Sequence, residues 1–351
     1  MPKNNTLLRA KDAKADNFFT ALVDIENEAK HYRQHFKGKV VLCNCDDPRV
    51  SNFFRYFALN FESLGLKKLI CTCYKNQDVD SFSQREVEKA VYIEYTGDKD
   101  GNHIPDPEEL DIKYFKGDGD FRSDECIELL KQADIVATNP PFSLFREYVA
   151  QLIKYGKQFL VIGNINAVTS KDVFPLIQSG QMWLGCSIHS GDREFGVPKD
   201  YPLKASGCRV DENGNRFIRV KGVRWFTNLE YRERHEDLIF YKTYKGHEEE
   251  FPHYDNYDAI EVGKTSNIPL DYDGLMGVPI TFLDKYNPDQ FEIIGMAKRG
   301  AGDPALKSRV YTKNDSPNYN ALNAAPTLWV NGVLKITYPR ILIRHKHPVK
   351  M

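Results

Sequence analysis

The 351-residue chain lacks the glycine-rich cradles that hold phosphates: neither a G-x-x-x-x-G-K-[ST] loop nor a G-x-G-x-x-G turn occurs in it. A nucleoside triphosphate and a conventionally bound dinucleotide are therefore not expected ligands. No apolar run approaches the roughly 20 residues of a membrane-spanning helix. The stretch "MPKNNTLLRAKDAKADNFF" has no signal-peptide core. The seven cysteines are an odd number in a large chain and do not read as a disulfide framework, so a reduced, cytosolic protein is expected. There is no internal repeat. At about 150 residues per domain, the length suggests one large or two medium domains.

A strong charge of one sign is also missing, since the formal net charge is −1. That total hides an uneven distribution. Residues 246–292 hold eleven Asp/Glu and two Lys, a local charge of −9. Residues 298–351 hold ten Lys/Arg and two Asp, a local charge of +8, and 204–224 carry +4. Separated basic segments are the electrostatic footprint of a polyanion binder. Solvated surface charge is the plain alternative.

What is present is an alternation of buried strands and amphipathic helices. Residues 20–36 space Leu22, Ile25, Ala29, Tyr32 and Phe36 at helical intervals. "GKVVLCN" (38–44) and "KKLICTCY" (67–74) are apolar runs fit for strands buried on both faces, with a helix between them ending at Gly65. This βαβ unit implies a parallel sheet. Strands follow at 87–96, 110–115, 134–138, 158–164, 181–188 and 222–230, with helices at 123–132, 143–154 and 170–178. The connector "YKGHEEEFPHYDNYD" (244–258) marks the expected domain boundary. Cys43/Cys45 and Cys71/Cys73 form two C-x-C pairs, but their period-two spacing inside strands reads as core rather than zinc. Residues 98–109 carry acids at EF-hand intervals with His103 at the glycine position and two prolines, which reads as a hairpin turn. No metal is expected.

In a parallel α/β sheet, ligands sit off the carboxyl ends of strands. The loops 43–51 and 115–123 at such ends carry Asp46, Asp47, Asp118 and Asp120. Carboxylates suit hydroxyls, amines and positive charge, and repel phosphates; a ribose with a sulfonium or ammonium group fits. A third loop follows "ADIVAT" and reads Asn139-Pro140-Pro141-Phe142. Two prolines remove two backbone donors and block a helix start, and the residue before proline is held extended. An exocyclic amino group is a poor nucleophile because its lone pair is delocalised into the ring. The Asn139 side-chain oxygen and the Pro140 carbonyl can each accept one of its hydrogens and pull the nitrogen towards tetrahedral geometry. Phe142 offers a ring for a base to stack on, which requires the base out of its helix.

These motifs, with "DNFFTALVDIENEAKHYRQHFKGKVVLCNCDDPRVSNFFRYF" (16–57), "KGDGDFRS" (116–123), "RWFTNL" (224–229) and "DYDGLMGVPITFLDKYNPDQFEIIG" (271–295), resemble the EcoRI-type adenine-specific DNA methyltransferases over nearly the whole chain, in the same order. The resemblance implies a Rossmann-like class I methyltransferase sheet with a smaller mixed C-terminal recognition domain. It divides the chain into a catalytic domain (1–245) and a target-recognition domain (246–351). It also implies S-adenosylmethionine as donor and N6 of a flipped adenine in double-stranded DNA as acceptor. Asn17, Phe18, Phe19 and Thr20 are then expected near the methionine part of the cofactor. Asp46, Asp47 and Pro48 follow the first strand, Asp118 and Phe121 flank the cofactor adenine, and Trp225 and Phe226 supply a second aromatic for the flipped base. The basic segments 204–224 and 298–351 are expected to line one cleft with the catalytic loop, and Lys298, Arg299, Lys307 and Arg309 to contact DNA. The resemblance implies a cytoplasmic monomer in a bacterial or phage-infected cell. It is read as the modification half of a restriction–modification system with a cognate endonuclease, or as an orphan or viral homologue. An Asn-Pro-Pro-Phe enzyme acting on RNA or protein glutamine, and a catalytically silent DNA-binding protein, remain the alternatives at this stage.

Overall fold

The computed structural model describes residues 18–45, 51–73, 90–99, 101, 109–197 and 207–350. Asn17, Asp46, Asp47 and Pro48, most of the acidic turn at 98–109 and the start of the basic segment 204–224 lie outside these residues. The chain divides into two compact units, Met1–Asn164 with Gly185–Glu230, and Ile165–Leu184 with Tyr231–Met351.

In the first unit the strands β1 (Val40–Asn44), β2 (Lys68–Thr72), β3 (Val91–Tyr95), β4 (Asp111–Tyr114), β5 (Ile135–Thr138) and β6 (Gln158–Asn164) lie in the order β4-β3-β2-β1-β5-β6, followed by Val223–Thr227. β2, β1, β5 and β6 run parallel, while β3 and Val223–Thr227 are antiparallel to their neighbours. This is a large mixed sheet in an α/β fold. The continuous apolar runs become the central strands because both faces are covered: β1 and β5 are buried throughout. Cys43 and Cys71 stand opposite each other in β1 and β2 as core residues.

Helix α1 (Leu22–Ala29) precedes β1, and α2 (Asn52–Leu59) joins β1 to β2. Ser51 caps α2 by accepting from the Phe54 N–H at 3.3 Å. Gly65 ends the following turn in the left-handed region at φ 63°, where a side chain would be strained. Helix α3 (Asp124–Gln132) is capped by Ser123 and leads into β5, and α4 (Phe145–Lys154) leads from β5 to β6. A three-stranded sheet of Asp192–Val197, Arg216–Lys221 and Arg209–Val210 stands apart from the main one. Its first strand bridges Phe19 through paired backbone bonds with Gly196. The long strand expected at 181–188 is only Trp183–Leu184.

The second unit holds a four-stranded sheet in the order Ile260–Glu261, Met276–Val278, Arg340–His345, Phe291–Ala297, and a separate hairpin of Thr327–Val330 with Val333–Ile336. The expected boundary at 245/246 is corrected to 230/231. The aromatic connector that suggested it is core, since Phe251, Tyr254 and Tyr257 are buried. Residues 165–184 also belong to this unit: Gln178 donates to the Ile294 carbonyl at 2.8 Å and Lys298 Nζ to the Thr169 carbonyl at 2.9 Å.

One buried carboxylate ties distant segments of the first unit together. Glu28, on α1, accepts from the backbone N–H of Cys186 at 2.8 Å and of Ser187 at 2.7 Å, and from the Tyr32 hydroxyl at 2.7 Å. A Cβ on Gly185 would come within 2.1 Å of the Glu28 Oε1, so this turn passes close against the carboxylate. Removing an acceptor that serves buried donors costs about 1–3 kcal/mol per stranded group. Glu28→Ala is expected to lower the free energy of unfolding by about 3 kcal/mol or more in a denaturant titration, and Glu28→Gln by less. A loss below about 1 kcal/mol in Glu28→Ala would contradict this role.

Candidate active site

Four chain segments meet at one edge of the main sheet: the ends of β1, β2 and β5, and the loop after β4. The loop after β4 comes in close because Gly119 sits at φ 75°, and a Cβ there would lie 2.4 Å from the Cys73 carbonyl oxygen just beyond β2. Asp118 is exposed, and its Oδ1 accepts from the Asp120 N–H at 3.0 Å. Asp120 pairs with Arg122 at 2.6 Å, and that guanidinium holds the Asp120 carboxyl below its ordinary range. Phe121 is buried edge-on against Tyr148 at 5.0 Å, with Arg122 over its other side at 5.3 Å.

The loop after β5 is the centre of the site. Asn139 is only 6% exposed. Its Nδ2 donates to the Phe18 carbonyl at 2.7 Å. A carbonyl only accepts, so this bond sets which end of the amide faces Phe18. The Oδ1 is then turned away, and it is buried with no hydrogen-bond partner. Pro140 follows without an N–H, and the Leu144 N–H closes the turn on the Pro141 carbonyl at 2.9 Å. Phe142 is half-buried and meets the edge of Phe18 at 5.6 Å and of Phe195 at 6.3 Å. Phe18 and Phe195 are themselves 5.8 Å apart. Thr20, two residues beyond Phe18, also carries a buried hydroxyl without a partner.

A second layer fixes the ends of β1 and β5. Thr138 Oγ1 donates to the Asn44 carbonyl, and the Tyr148 hydroxyl of α4 donates to the Asn44 side-chain oxygen. Burial raises the Tyr148 pKa well above that of a free phenol, so it stays a donor at any working pH. Cys45, the next residue, has φ 77° although it is not glycine. Such a conformation costs about 1–3 kcal/mol and persists where the surroundings impose it.

The structure therefore brings Phe18, Phe19, Thr20, Asn139, Pro140, Pro141 and Phe142 together. Trp225 and Phe226 do not join them: both lie in the core, Trp225 against Phe53 at 5.9 Å and Phe226 against Phe145 at 4.8 Å. Their strand is covered on both faces, so neither ring is open to a base, and the expected stacking role is corrected. Phe195, itself buried, packs behind Phe18 and Phe142 and is a supporting contact that sequence reasoning missed, although Arg193, Phe195 and Val197 alternate as a strand should. Lys298, Arg299, Lys307 and Arg309 all lie in the second unit and are engaged there. Lys298 Nζ donates to Thr169 at 2.9 Å and Lys307 Nζ to the Asn323 carbonyl at 2.8 Å. Arg299 donates to the Asn320 carbonyl, and Arg309 pairs with Asp255 at 3.0 Å and Asp315 at 2.6 Å.

A buried amide oxygen without a partner, in a loop whose prolines offer no N–H to compete for it, is suited to accept a hydrogen from an amino group. Comparison with known proteins narrows that chemistry. The family model described as "Adenine-specific methyltransferase EcoRI" matches residues 6–346. The Type II methyltransferase M.EcoRI of Escherichia coli is 53% identical over 296 residues, 84% of this chain and 90% of that one. Type II methyltransferase M.MgeORF184P of Mycoplasma genitalium is 40% identical over 340 residues, covering 96% of this chain and 97% of its own length. Type II methyltransferase M.MpnI of Mycoplasma pneumoniae is 41% identical over 309 residues, 87% of this chain and 90% of that one. No solved structure matches the chain. The chain belongs to the EcoRI family of adenine-specific methyltransferases. Its activity is site-specific methylation of adenine in DNA.

The Tyr148 hydroxyl acts on this site through Asn44, while its ring supports Phe121. Tyr148→Phe is expected to raise KM for the methyl donor by about tenfold, the worth of one lost buried hydrogen bond, with kcat nearly unchanged. An unchanged KM would show that the β1 end does not need this bond.

Proposed function

We propose that the chain holds S-adenosylmethionine across the ends of β1, β2 and β4 of a Rossmann-like class I sheet, and presents to it an adenine flipped out of double-stranded DNA. The carrying observation is the Asn139 Oδ1, buried and without a partner while its own Nδ2 is fastened to Phe18. An unpaired buried acceptor costs about 1–3 kcal/mol, and at the end of a parallel strand, in a donor-free loop, a ligand that completes it accounts for its retention. The Thr20 hydroxyl is in the same condition two residues from Phe18. This supports Phe18, Phe19 and Thr20, with Asn17, as the residues that hold the methionine part. Asp46, Asp47 and Pro48 follow β1 in sequence, and the close approach of the Gly119 turn to the Cys73 carbonyl beyond β2 supports reading Asp118 and Phe121 as the flanks of the cofactor adenine. Carboxylates without a phosphate cradle fit a ribose and a cationic sulfur.

S-adenosylmethionine supplies an electrophilic methyl group on a sulfonium. The rest is done by the chain. Asn139 Oδ1 and the Pro140 carbonyl each accept one N6 hydrogen, which localises the lone pair on nitrogen. Pro140 and Pro141 offer no N–H to compete for those oxygens. Phe142 takes the face of the base. Holding both partners in line supplies much of the rate. The methyl–sulfur bond breaks as the methyl–N6 bond forms, its electron pair stays on sulfur as a neutral thioether, and the N6 made cationic by the transfer releases one proton to water.

The second unit is read as the target-recognition unit. Arg299 and Lys307 are the better phosphate ligands of the four residues named from sequence. Arg309 is already matched by two carboxylates. We further read the chain as a cytoplasmic monomer working beside a restriction endonuclease of the same site. Among the described residues no helix is long and apolar enough to cross a membrane.

Asn139→Ala is expected to keep S-adenosylmethionine affinity within a few-fold and to slow methyl transfer at saturation by at least about a thousandfold. It removes an interaction that matters chiefly in the transition state. Single-turnover methylation with tritiated donor, alongside calorimetric donor binding, checks both halves. Near-normal transfer would remove Asn139 from the reaction.

A further inference from the structure

The second unit carries an element that folding alone does not explain. Thr327–Val330 and Val333–Ile336 pair antiparallel, with Thr327 opposite Ile336, Leu328 opposite Lys335, Trp329 opposite Leu334 and Val330 opposite Val333. The turn is Asn331-Gly332, at φ 51° and 74°, the two-residue loop that suits a tight hairpin. A two-stranded ribbon by itself is marginal in water. This one is anchored at its root, where Thr327 is buried and its N–H donates to the Asn256 side chain at 2.9 Å. Leu328 packs on the cluster of Tyr254, Tyr257 and Leu342.

Beyond the root the ribbon leaves apolar groups in water on both faces. Paired residues share a face, so Val330 and Val333 lie with Lys335, and Trp329 lies with Ile336. Trp329 is 59% exposed, Val333 58%, Ile336 44% and Val330 37%. Contiguous exposed apolar surface of this kind marks an interaction site. The Trp329 ring is also held in place. Its Nε1 donates to Asp255 at 2.9 Å, and the same carboxylate accepts from Arg309 at 3.0 Å and from the Tyr311 hydroxyl at 2.7 Å. Arg299 and Lys307 both end on the segment that leads into the ribbon, at Asn320 and Asn323. Positive charge thus stands at the root as well as at Lys335 on the blade.

We propose that this hairpin is the element that enters the major groove of the substrate duplex and reads bases there. The inference rests on the reading of double-stranded DNA as the substrate. The major groove, about 12 Å wide, admits a two-stranded ribbon. The side chains match what its floor presents: valine methyls for thymine methyls, the Asn331 amide for the adenine edge, and Lys335 for guanine acceptors. Arg299 and Lys307 at the root are placed for the flanking phosphates, which position without reading. A second copy of the chain is the competing occupant for an apolar ribbon. It does not account for the cations at the root.

The test first locates the methylated site by sequencing methyladenine in plasmid DNA from cells expressing the chain. Binding is then measured at fixed salt to a duplex containing that site and to a scrambled duplex of equal composition. The variants are Val330→Ser/Val333→Ser and Asn331→Gly; the latter keeps the positive φ and deletes the amide. Thermal midpoint, S-adenosylmethionine affinity and oligomeric state are followed in parallel, and Lys335→Ala serves if a tip variant folds poorly. The expected result is a loss of about tenfold to a hundredfold on the site duplex. Scrambled-duplex binding, donor binding and thermal midpoint should not change. Unchanged discrimination, an equal loss on both duplexes, or a change of oligomeric state would each overturn the proposal. A wild-type chain that does not distinguish the two duplexes would instead overturn the reading of the substrate beneath it.

Discussion

The hydrogen bond from Asn139 Nδ2 to the Phe18 carbonyl, 2.7 Å long, decides the chemistry of the site. An asparagine side chain has a donor end and an acceptor end, and either one can face a ligand. The Phe18 carbonyl can only accept, so it takes the donor end and leaves the acceptor for whatever arrives. The bond joins a segment before α1 to the loop after β5. The Phe19 pairing with Gly196 then holds that segment against a third part of the chain. The amide is oriented before the substrate is present, and no reorganisation is left for the moment of reaction.

Such an arrangement costs stability. A buried oxygen without a donor and a non-glycine residue at φ 77° are both unfavourable, each by about 1–3 kcal/mol. Tyr148 and Thr138 offset part of this by fastening Asn44 from two directions. Phe121 leans on the same Tyr148 ring, so one side chain of α4 supports both the β1 end and the loop after β4. Local rules are broken where function asks for it, and the packing around the breach is correspondingly full.

Much of this was legible in the sequence, because the relevant signals are local. Unbroken apolar runs marked β1, β2 and β5, since a strand covered on both faces has no polar side to show. The Asn139-Pro140-Pro141-Phe142 loop stood out as a donor-poor turn after a buried strand because proline removes an N–H wherever it sits. Contacts between distant segments were not legible. Nothing near Phe195 in the chain says that it will meet Phe18 and Phe142. Trp225 and Phe226 were expected to offer an aromatic to the flipped base, but their strand pairs with β6 inside a covered sheet and both are core. The connector at 244–258 looked like a linker because it is rich in acids and other polar residues, while its aromatic residues build the second unit's core. Arg309 read as a free cation until its partners Asp255 and Asp315 came from positions 54 and 6 residues away.

The most direct test is a structure of the chain with its site duplex and sinefungin, a non-transferring analogue of the methyl donor. The account predicts the target adenine outside the helix, its N6 within hydrogen-bond reach of both Asn139 Oδ1 and the Pro140 carbonyl, and Nδ2 still on Phe18. An adenine that meets the Asn139 Nδ2 instead, or an Oδ1 that stays unpartnered with the base bound elsewhere, would contradict it.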